Sequence, residues 1–426
     1  MEQQAFWAIG IFLIIYALII SEEIHRTVAA MIGGLLMVTF GIVNQETALH
    51  HIDFNTLGLL IGMMMIVSIT ADTGLFRFIA IWAAKKSKGN PVRILISLTL
   101  ITAIGSAFLD NVTTVLLMVP VTFSITRQLR VPPVPFLITQ IIASNVGGTA
   151  TLIGDPPNIM IGSAVKELTF MAFINNLAPL AAIVMAVYIP LFVWLFRRQI
   201  QTTPELTRTI MEMDEKSLIT DKKLLRKSLS VLGLTILGFF LHQALHLESA
   251  TVALAGAFAL LLLTGEHKME TAFTKVEWTT IFFFVGLFVL VSGLIETGVI
   301  AKLAAQAMEL TNGNVMASSL LILWLSAIAS AFLDNIPFVA TMIPLIQEMG
   351  NMGVSDLEPL WWSLALGACL GGNGSLIGAS ANLIVAGMSG KEGHPITFMT
   401  FIKYGFPLML LSIVLSSGYV YVRYLM

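Results

Sequence analysis

The hexapeptide SAFLDN occurs twice in the sequence, at 106–111 and at 330–335, each time inside a long apolar run. An ionised aspartate costs about 2.5–3.5 kcal/mol at the centre of a bilayer on insertion scales, so chains keep one there where it lines a polar cavity. An alternative interpretation is that each aspartate caps the N-terminus of a half-helix. The first interpretation predicts an ion-binding cavity lined by Asp110, Asn111, Thr113, Thr114, Asp334 and Asn335.

A second pair of polar segments, GGTATLIGDPPN (147–158) and GGNGSLIGASAN (371–382), interrupts two other apolar runs. Glycine pairs, hydroxyl residues and prolines break a helix, and the freed backbone groups are tolerated at membrane depth only where they face protein or a cavity. Free carbonyl groups suit Na⁺, whereas the N-termini of half-helices suit anions. The residues predicted to supply ligands here are Gly148, Thr149, Thr151, Asp155, Asn158, Asn373, Ser375, Ser380 and Asn382.

The charges in these segments restrict the substrate. Asp155 has no acidic counterpart, because Ala379 stands at the equivalent position, and this asymmetry suggests that one half carries an extra proton or ion. No lysine or arginine lies within the segments. The substrate is therefore expected to be a cation or a neutral molecule, or an anion that enters with a bound cation. Na⁺ at the two SAFLDN tips is the one metal ion expected, and no other cofactor is.

Composition places these segments in a membrane. Of the 426 residues, 57% are hydrophobic and 11% are charged, against roughly 25% charged residues in a soluble domain. Apolar runs near ~20 residues are typical of membrane-spanning helices. The single cysteine, Cys369, excludes a disulfide framework. The sequence contains no phosphate-binding loop, nucleophilic triad or basic patch, which argues against an ATP-driven pump, an enzyme or a nucleic-acid partner.

The two SAFLDN copies lie 224 residues apart, and the same offset aligns much of the remaining sequence. The segment ITAIGSAFLDNVTTVLLMVP (101–120) aligns without a gap with LSAIASAFLDNIPFVATMIP (325–344). Internal repeats of this kind are typical of secondary transporters. The predicted organisation is repeat 1 at 1–196, a linker at 197–228 and repeat 2 at 229–426.

Each repeat is predicted to contain five transmembrane helices and one re-entrant hairpin. The hairpins are expected at 93–126 and 317–347, and broken helices at 135–165 and 359–388. Because five is odd, the repeats must be inverted, which would bring the two hairpin tips together near the midplane. With both termini outside and the linker in the cytoplasm, all but three of the 23 basic residues lie on the inner side. The prediction is an all-α polytopic protein of the cell membrane.

At these motifs the sequence resembles a known family. SAFLDNVTTVLLMVPVT, GDPPN, AFLDNIPFVATMIP and GACLGGNGSLIGASAN are similar to the P protein (pink-eyed dilution) branch of the arsenite permease and sodium/proton antiporter (ArsB/NhaD) family, within the ion transporter superfamily. The resemblance covers nearly the whole chain. It implies a homodimer and an elevator mechanism, in which the hairpins and broken helices slide against a scaffold of the other spans.

These features predict a secondary active transporter that moves a small ion across the lipid bilayer, coupled to Na⁺ or H⁺. Cation/proton exchange and cation-coupled anion transport both remain open. Efflux of arsenite or antimonite is an alternative that the resemblance implies. A passive ion channel is an alternative from a different class, although repeats suited to alternating access favour a carrier.

Overall fold

The computed structural model describes residues 2–21, 23–265 and 268–426, whose regular elements are helices. In chain order the α-helices are α1 Glu2–Ser21, α2 Arg26–Thr39, α3 Gln45–His50, α4 Phe54–Ala71, α5 Leu75–Lys86, α6 Pro91–Phe108, α7 Asn111–Leu129, α8 Val134–Thr149, α9 Pro156–Ala164, α10 Phe170–Phe196, α11 Pro204–Met211, α12 Lys222–Leu241, α13 Ser249–Thr264, α14 Met269–Thr274, α15 Trp278–Glu296, α16 Val299–Thr311, α17 Val315–Phe332, α18 Asn335–Asn351, α19 Glu358–Gly371, α20 Ser380–Lys391 and α21 Phe398–Val420. A 3₁₀ turn covers Lys216–Leu218, and a π turn, Tyr421–Leu425, follows α21.

Nine of the helices in the described residues are long and apolar enough to cross a membrane, and α2 and α13 are shorter apolar helices. The nine are α1, α4, α6, α7, α10, α12, α15, α17 and the C-terminal helix that α21 forms with its π turn. This confirms the prediction of an all-helical polytopic membrane protein. Length and composition do not separate crossing helices from the arms of a re-entrant hairpin, and α6, α7 and α17 lie where the sequence predicts such arms.

The helix boundaries recur at the offset of 224 residues. Helices α3 and α14 correspond residue for residue, as do α6 and α17. The breaks between α8 and α9 and between α19 and α20 also fall at equivalent positions. The turn of each hairpin is two residues long, because an aspartate directly after the turn leucine caps the returning helix.

The helices divide into two packing groups. The frame group consists of α1, α2, α4, α12, α13 and α15, and the hairpin group consists of α6–α9 and α17–α20. Small residues bring the frame helices together: a Cβ on Gly62 would lie 2.6 Å from the backbone of Ala253, and one on Gly286 would lie 2.5 Å from the backbone of Met31. Close approach at glycine is a usual way for helices to pack in membranes.

Two short helices, α5 and α16, were not expected from the sequence. Each begins after a glycine in the left-handed region, Gly74 (φ +80°) and Gly298 (φ +72°), which turns the chain sharply after the preceding long helix. The linker also differs from expectation. It contains α11, and α12 begins at Lys222 rather than at 229, because Asp221 caps it through the backbone N–H groups of Lys223 and Leu224.

The linker is attached to the first half of the chain. The Lys85 ammonium group donates to Glu215 Oε2 (2.5 Å) and to the Met213 carbonyl (2.9 Å). This hydrogen bond from Lys85 holds the pKa of the Glu215 carboxyl below its ordinary value. Further along, the Thr220 N–H donates to the Thr73 carbonyl (3.1 Å). The segment therefore packs against α5 and the end of α4 rather than looping freely.

Candidate functional site

The two hairpin tips meet at Asp155. The side-chain amides of Asn111 and Asn335, one from each tip, approach Asp155 Oδ1 at 3.5 Å and 3.4 Å. The carboxylate is 1% exposed. Among the residues that the structure describes, no hydrogen-bond donor reaches Asp155 Oδ2. A buried carboxylate with one oxygen lacking a partner is suited to hold a proton or a cation.

The two tip aspartates have different surroundings. Asp110 accepts from both the backbone N–H (2.8 Å) and the hydroxyl (2.5 Å) of Thr113, so it caps α7 as the alternative interpretation expects. Asp334 caps α18 through Oδ1, which accepts from the Ile336 N–H (3.1 Å). Its Oδ2 accepts from the Ser380 hydroxyl (3.1 Å) and from an arginine. Capping and lining a cavity are thus compatible roles.

That arginine is Arg26, and it corrects the expectation that the acids have no basic neighbour. Its Nη1 donates to Asp334 Oδ2 and to the Ser380 hydroxyl (2.7 Å). The guanidinium lies over the ring of Phe283, 5.1 Å from the ring centroid. Arg26 starts α2 in the frame group and so reaches across to the hairpin group. A sequence signal was present, since Ala250 stands at the equivalent position of the second half.

Several predicted ligands hold the breaks together instead. The Asn158 amide donates to the carbonyls of Thr149 (3.1 Å) and Thr151 (2.8 Å). The equivalent Asn382 amide donates to the carbonyls of Gly372 (2.7 Å) and Ser375 (2.8 Å). Such bonds satisfy backbone groups freed by the interrupted helix.

Hydroxyl groups attach each break to its neighbouring hairpin. Thr151 donates to the Ala107 carbonyl, and Ser375 donates to the equivalent Ala331 carbonyl (2.5 Å). The hydroxyl of Thr149 donates within its own helix, to the Asn145 carbonyl (2.8 Å). These three hydroxyls therefore already have acceptors, and the same hydrogen bond is built twice, once in each half. Two other predicted residues are also packed in the interior: Gly148 lies against the Gly154 carbonyl, and Thr114 is buried.

Asn145 was not predicted, yet it connects the two halves. Its Oδ1 accepts from the Asn111 amide (3.2 Å), and its Nδ2 donates to Oδ1 of Asn373 (2.9 Å) and of Asn382 (3.1 Å). The equivalent residue is Cys369, whose thiol lies 3.5 Å from Asn158 Oδ1. The pairing of an amide with a thiol across the repeat concealed this junction in the sequence.

Two neighbouring cavities open onto these residues. The small cavity, about 30 Å³, is lined by Asp110, Asp155 and Glu277 together with the amides of Asn111 and Asn335. The large cavity, about 290 Å³, is lined by Tyr16, His25, Asp334 and an apolar remainder. Arg26 and Ser380 line both. Asp334 therefore belongs to the large cavity rather than sharing one cavity with Asp110 and Asp155.

The small cavity is acidic and has room for an ion. Three carboxylates line it, those of Asp110, Asp155 and Glu277, against the single guanidinium of Arg26. Roughly 10–15 Å³ accommodates one water-sized probe, so about 30 Å³ admits a bare ion or two water molecules. Glu277, which precedes α15, is a further residue that the sequence did not single out; its Oε2 accepts from the Thr280 hydroxyl (3.0 Å).

Apolar helices of membrane-crossing length around a buried acidic cavity define a membrane transport protein. Comparison with known proteins agrees: the citrate transporter family (CitMHS) matches residues 16–367, and the chain belongs to this family. A transporter of Mycobacterium tuberculosis (strain H37Rv) is 42% identical over 423 residues, covering 98% of each chain. The 46 kDa membrane protein of Mycobacterium leprae (strain TN) is 40% identical over 424 residues, again with 98% of each chain covered.

The resemblance to P protein is confirmed. The P protein of Homo sapiens is 36% identical over 505 residues, which cover 99% of this chain and 60% of P protein. Among solved structures, the YdaH transporter of Alcanivorax borkumensis, described as having an unusual topology, superposes with a TM-score of 0.59 over 94% of this chain and 98% of its own. At 14% identity, that likeness concerns the fold alone. The family and the relatives' names indicate transport rather than catalysis.

Proposed function

We propose that the protein is a secondary active carrier that moves a small ion coupled to Na⁺ or H⁺, with the small cavity as the site of the coupling ion. The observation that carries this proposal is the convergence of Asp110, Asp155 and Glu277 on a space of about 30 Å³. Three carboxylates and one guanidinium leave a net negative charge, which a bound cation or proton would offset.

Asp155 is the proposed coupling acid. It lies between the two tips, it is buried, and no partner for its Oδ2 is found in the described parts of the chain. A proton and a metal cation would compete for this oxygen. The apparent affinity for the cation should then weaken as the pH falls, because the two binding equilibria are linked.

The proposed movement is that of an elevator with two inverted repeats. It is supported by the equivalent hydrogen bonds of Thr151 and Ser375 in the two halves, and by the separation of the frame group from the hairpin group. The homodimer is supported by the resemblance to the P protein family alone. The distribution of basic residues supports a cytoplasmic linker and external termini in the cell membrane.

The test is ion flux in proteoliposomes. Uptake of ²²Na⁺ and of labelled citrate, the substrate that the family description names, would be measured against pH and Na⁺ concentration. Wild-type protein should show flux driven by an imposed Na⁺ or pH gradient. Asp155→Asn should retain some flux but lose its pH dependence. Asp221→Asn is a matched control, because Asp221 also precedes a helix but lies in the linker.

Two outcomes would contradict the proposal. Flux that is independent of pH and of every cation tried, with no stimulation by counterflow, would leave a passive channel as the better account. An unchanged pH profile in Asp155→Asn, with coupled flux intact, would remove Asp155 from the coupling role.

A further inference from the structure

We propose that the large cavity binds the carboxylate groups of a small organic anion, with Arg26, the Ser380 hydroxyl and the first turn of α20 as its ligands. This inference rests on the proposed function, because the small cavity beside it would take the coupling cation. The two sites would then share Arg26 and Ser380 as a common wall.

The sizes of the two cavities suit different ligands. About 30 Å³ is too little for an organic molecule. About 290 Å³ lies at the lower end of the range of ~300–1,000 Å³ that is typical of small-molecule pockets. The large cavity also combines an apolar lining with a few polar groups, those of Tyr16, His25, Arg26 and Ser380, which is the usual arrangement for binding and orienting an organic ligand.

The two broken helices begin with opposite chemistry. Helix α9 follows Asp155 and starts with Pro156–Pro157, so its first turn offers a carboxylate and lacks two N–H donors. Helix α20 follows Ala379, which has no capping side chain, and starts with Ser380 and Ala381, which both carry N–H groups. Free N–H groups at a helix N-terminus attract anions. The first break is therefore built for a cation and the second for an anion.

Arg26 supplies the positive charge on the anion side. Both of its hydrogen bonds use Nη1, and across 2–21, 23–265 and 268–426 no bond involves Nη2 or Nε. Stacking on Phe283 fixes the plane of the guanidinium, and the side chain keeps 28% of its surface exposed. A guanidinium with unused donors can bind a carboxylate through two parallel hydrogen bonds. Asp334 would hold Arg26 in position until the anion competes for it.

The structural alternative is that Arg26 only fastens the frame group to the hairpin group. Binding of citrate, succinate and acetate to the purified protein, with and without Na⁺, separates the two interpretations. Loss of hydrogen bonds from a charged donor predicts that Arg26→Gln weakens binding of the preferred anion by about 10- to 100-fold. Arg26→Lys, which keeps the charge but not the fork, should fall between. Arg127→Gln, which removes an exposed arginine–glutamate pair, should bind as wild type does.

A second measurement needs no variant. Phenylglyoxal modifies accessible arginines, and mass spectrometry identifies each site. The bound anion should slow modification of Arg26 and leave that of Arg127 unchanged. The inference is overturned if none of the three anions binds wild-type protein, if Arg26→Gln binds with wild-type affinity, or if the anion gives Arg26 no protection. Cation-coupled flux that survives such a result would leave the proposed function intact, whereas absence of any coupled flux would remove the proposed function itself.

Discussion

Replacing Gly147 with alanine should force the first hairpin away from the broken helix behind it. A Cβ at this position would lie 2.0 Å from the carbonyl oxygen of Ala103 and 2.6 Å from its carbonyl carbon. Real Cβ atoms essentially never come nearer than 3.0 Å to another heavy atom, and the obstacle here is backbone. Helices α6 and α8 must therefore separate by about 1 Å or more.

The expected cost follows from that displacement. Overpacking a well-packed interior costs about 1–3 kcal/mol, and a clash with backbone belongs at the upper end or above it. The equivalent Gly371→Ala is milder, because its Cβ would lie 2.6 Å from the Ala327 carbonyl oxygen. Gly10→Ala, with nothing within 4 Å, should be neutral or slightly stabilising, since alanine favours a helix over glycine by roughly 0.5–1 kcal/mol.

Thermal melting of the four purified proteins in one detergent checks this order. Gly147→Ala should melt lowest, Gly371→Ala next, and wild type and Gly10→Ala highest. Transport by Gly147→Ala should also fall, because α6 carries the tip that ends at Asp110. Equal melting temperatures for Gly147→Ala and Gly10→Ala would refute the close contact between α6 and α8 and the inferred cost.

The remaining predictions concern the tips and the linker. Asp110→Asn and Asp334→Asn should each abolish transport while inserting normally, because asparagine caps a helix about as well as aspartate; wild-type flux in both would contradict their role. Single cysteines placed at 197–228, in a background without the native cysteine, should resist impermeant thiol reagents added outside cells, whereas one beside Lys166 should react; external labelling of the linker would reverse the topology. Lys85→Ala should speed tryptic cleavage of the linker about threefold, and an unchanged rate would show that this contact does not hold it.

The sequence predicted the parts of the fold that repeat. The offset of 224 residues placed the hairpin turns at Asp110 and Asp334 and the breaks near Asp155 and Ala379, where helices in the structure begin and end. Local rules suffice there, because aspartate caps a helix, and glycine and proline interrupt one. The same rules could not say that Thr151 would bond a hairpin carbonyl rather than face a cavity, since that depends on how the helices pack.

The parts of the candidate site that break the repeat were missed. Arg26 was counted among the cytoplasmic basic residues because it stands at a helix start, and only the packing of α2 on α15 brings it to Asp334. Glu277 also precedes a helix, so its sequence context resembles an ordinary surface position. Asn145 lies in a buried helix, where one amide among apolar residues gives no sign of its partners. In each case the function of the side chain is set by contacts between segments that are distant in the chain.

The pairing of Arg26 with Asp334 has an electrical consequence. Arg26 belongs to the frame group and Asp334 to a hairpin tip, so a movement of the hairpins relative to the frame separates a positive charge from a negative one. One elementary charge carried across a membrane potential of 100 mV gains or loses about 2.3 kcal/mol. Only the first half carries such an arginine, because Ala250 occupies the equivalent place in the second. The voltage across the membrane would therefore act unequally on the two end states, and the resting potential itself would favour one of them even in the empty carrier.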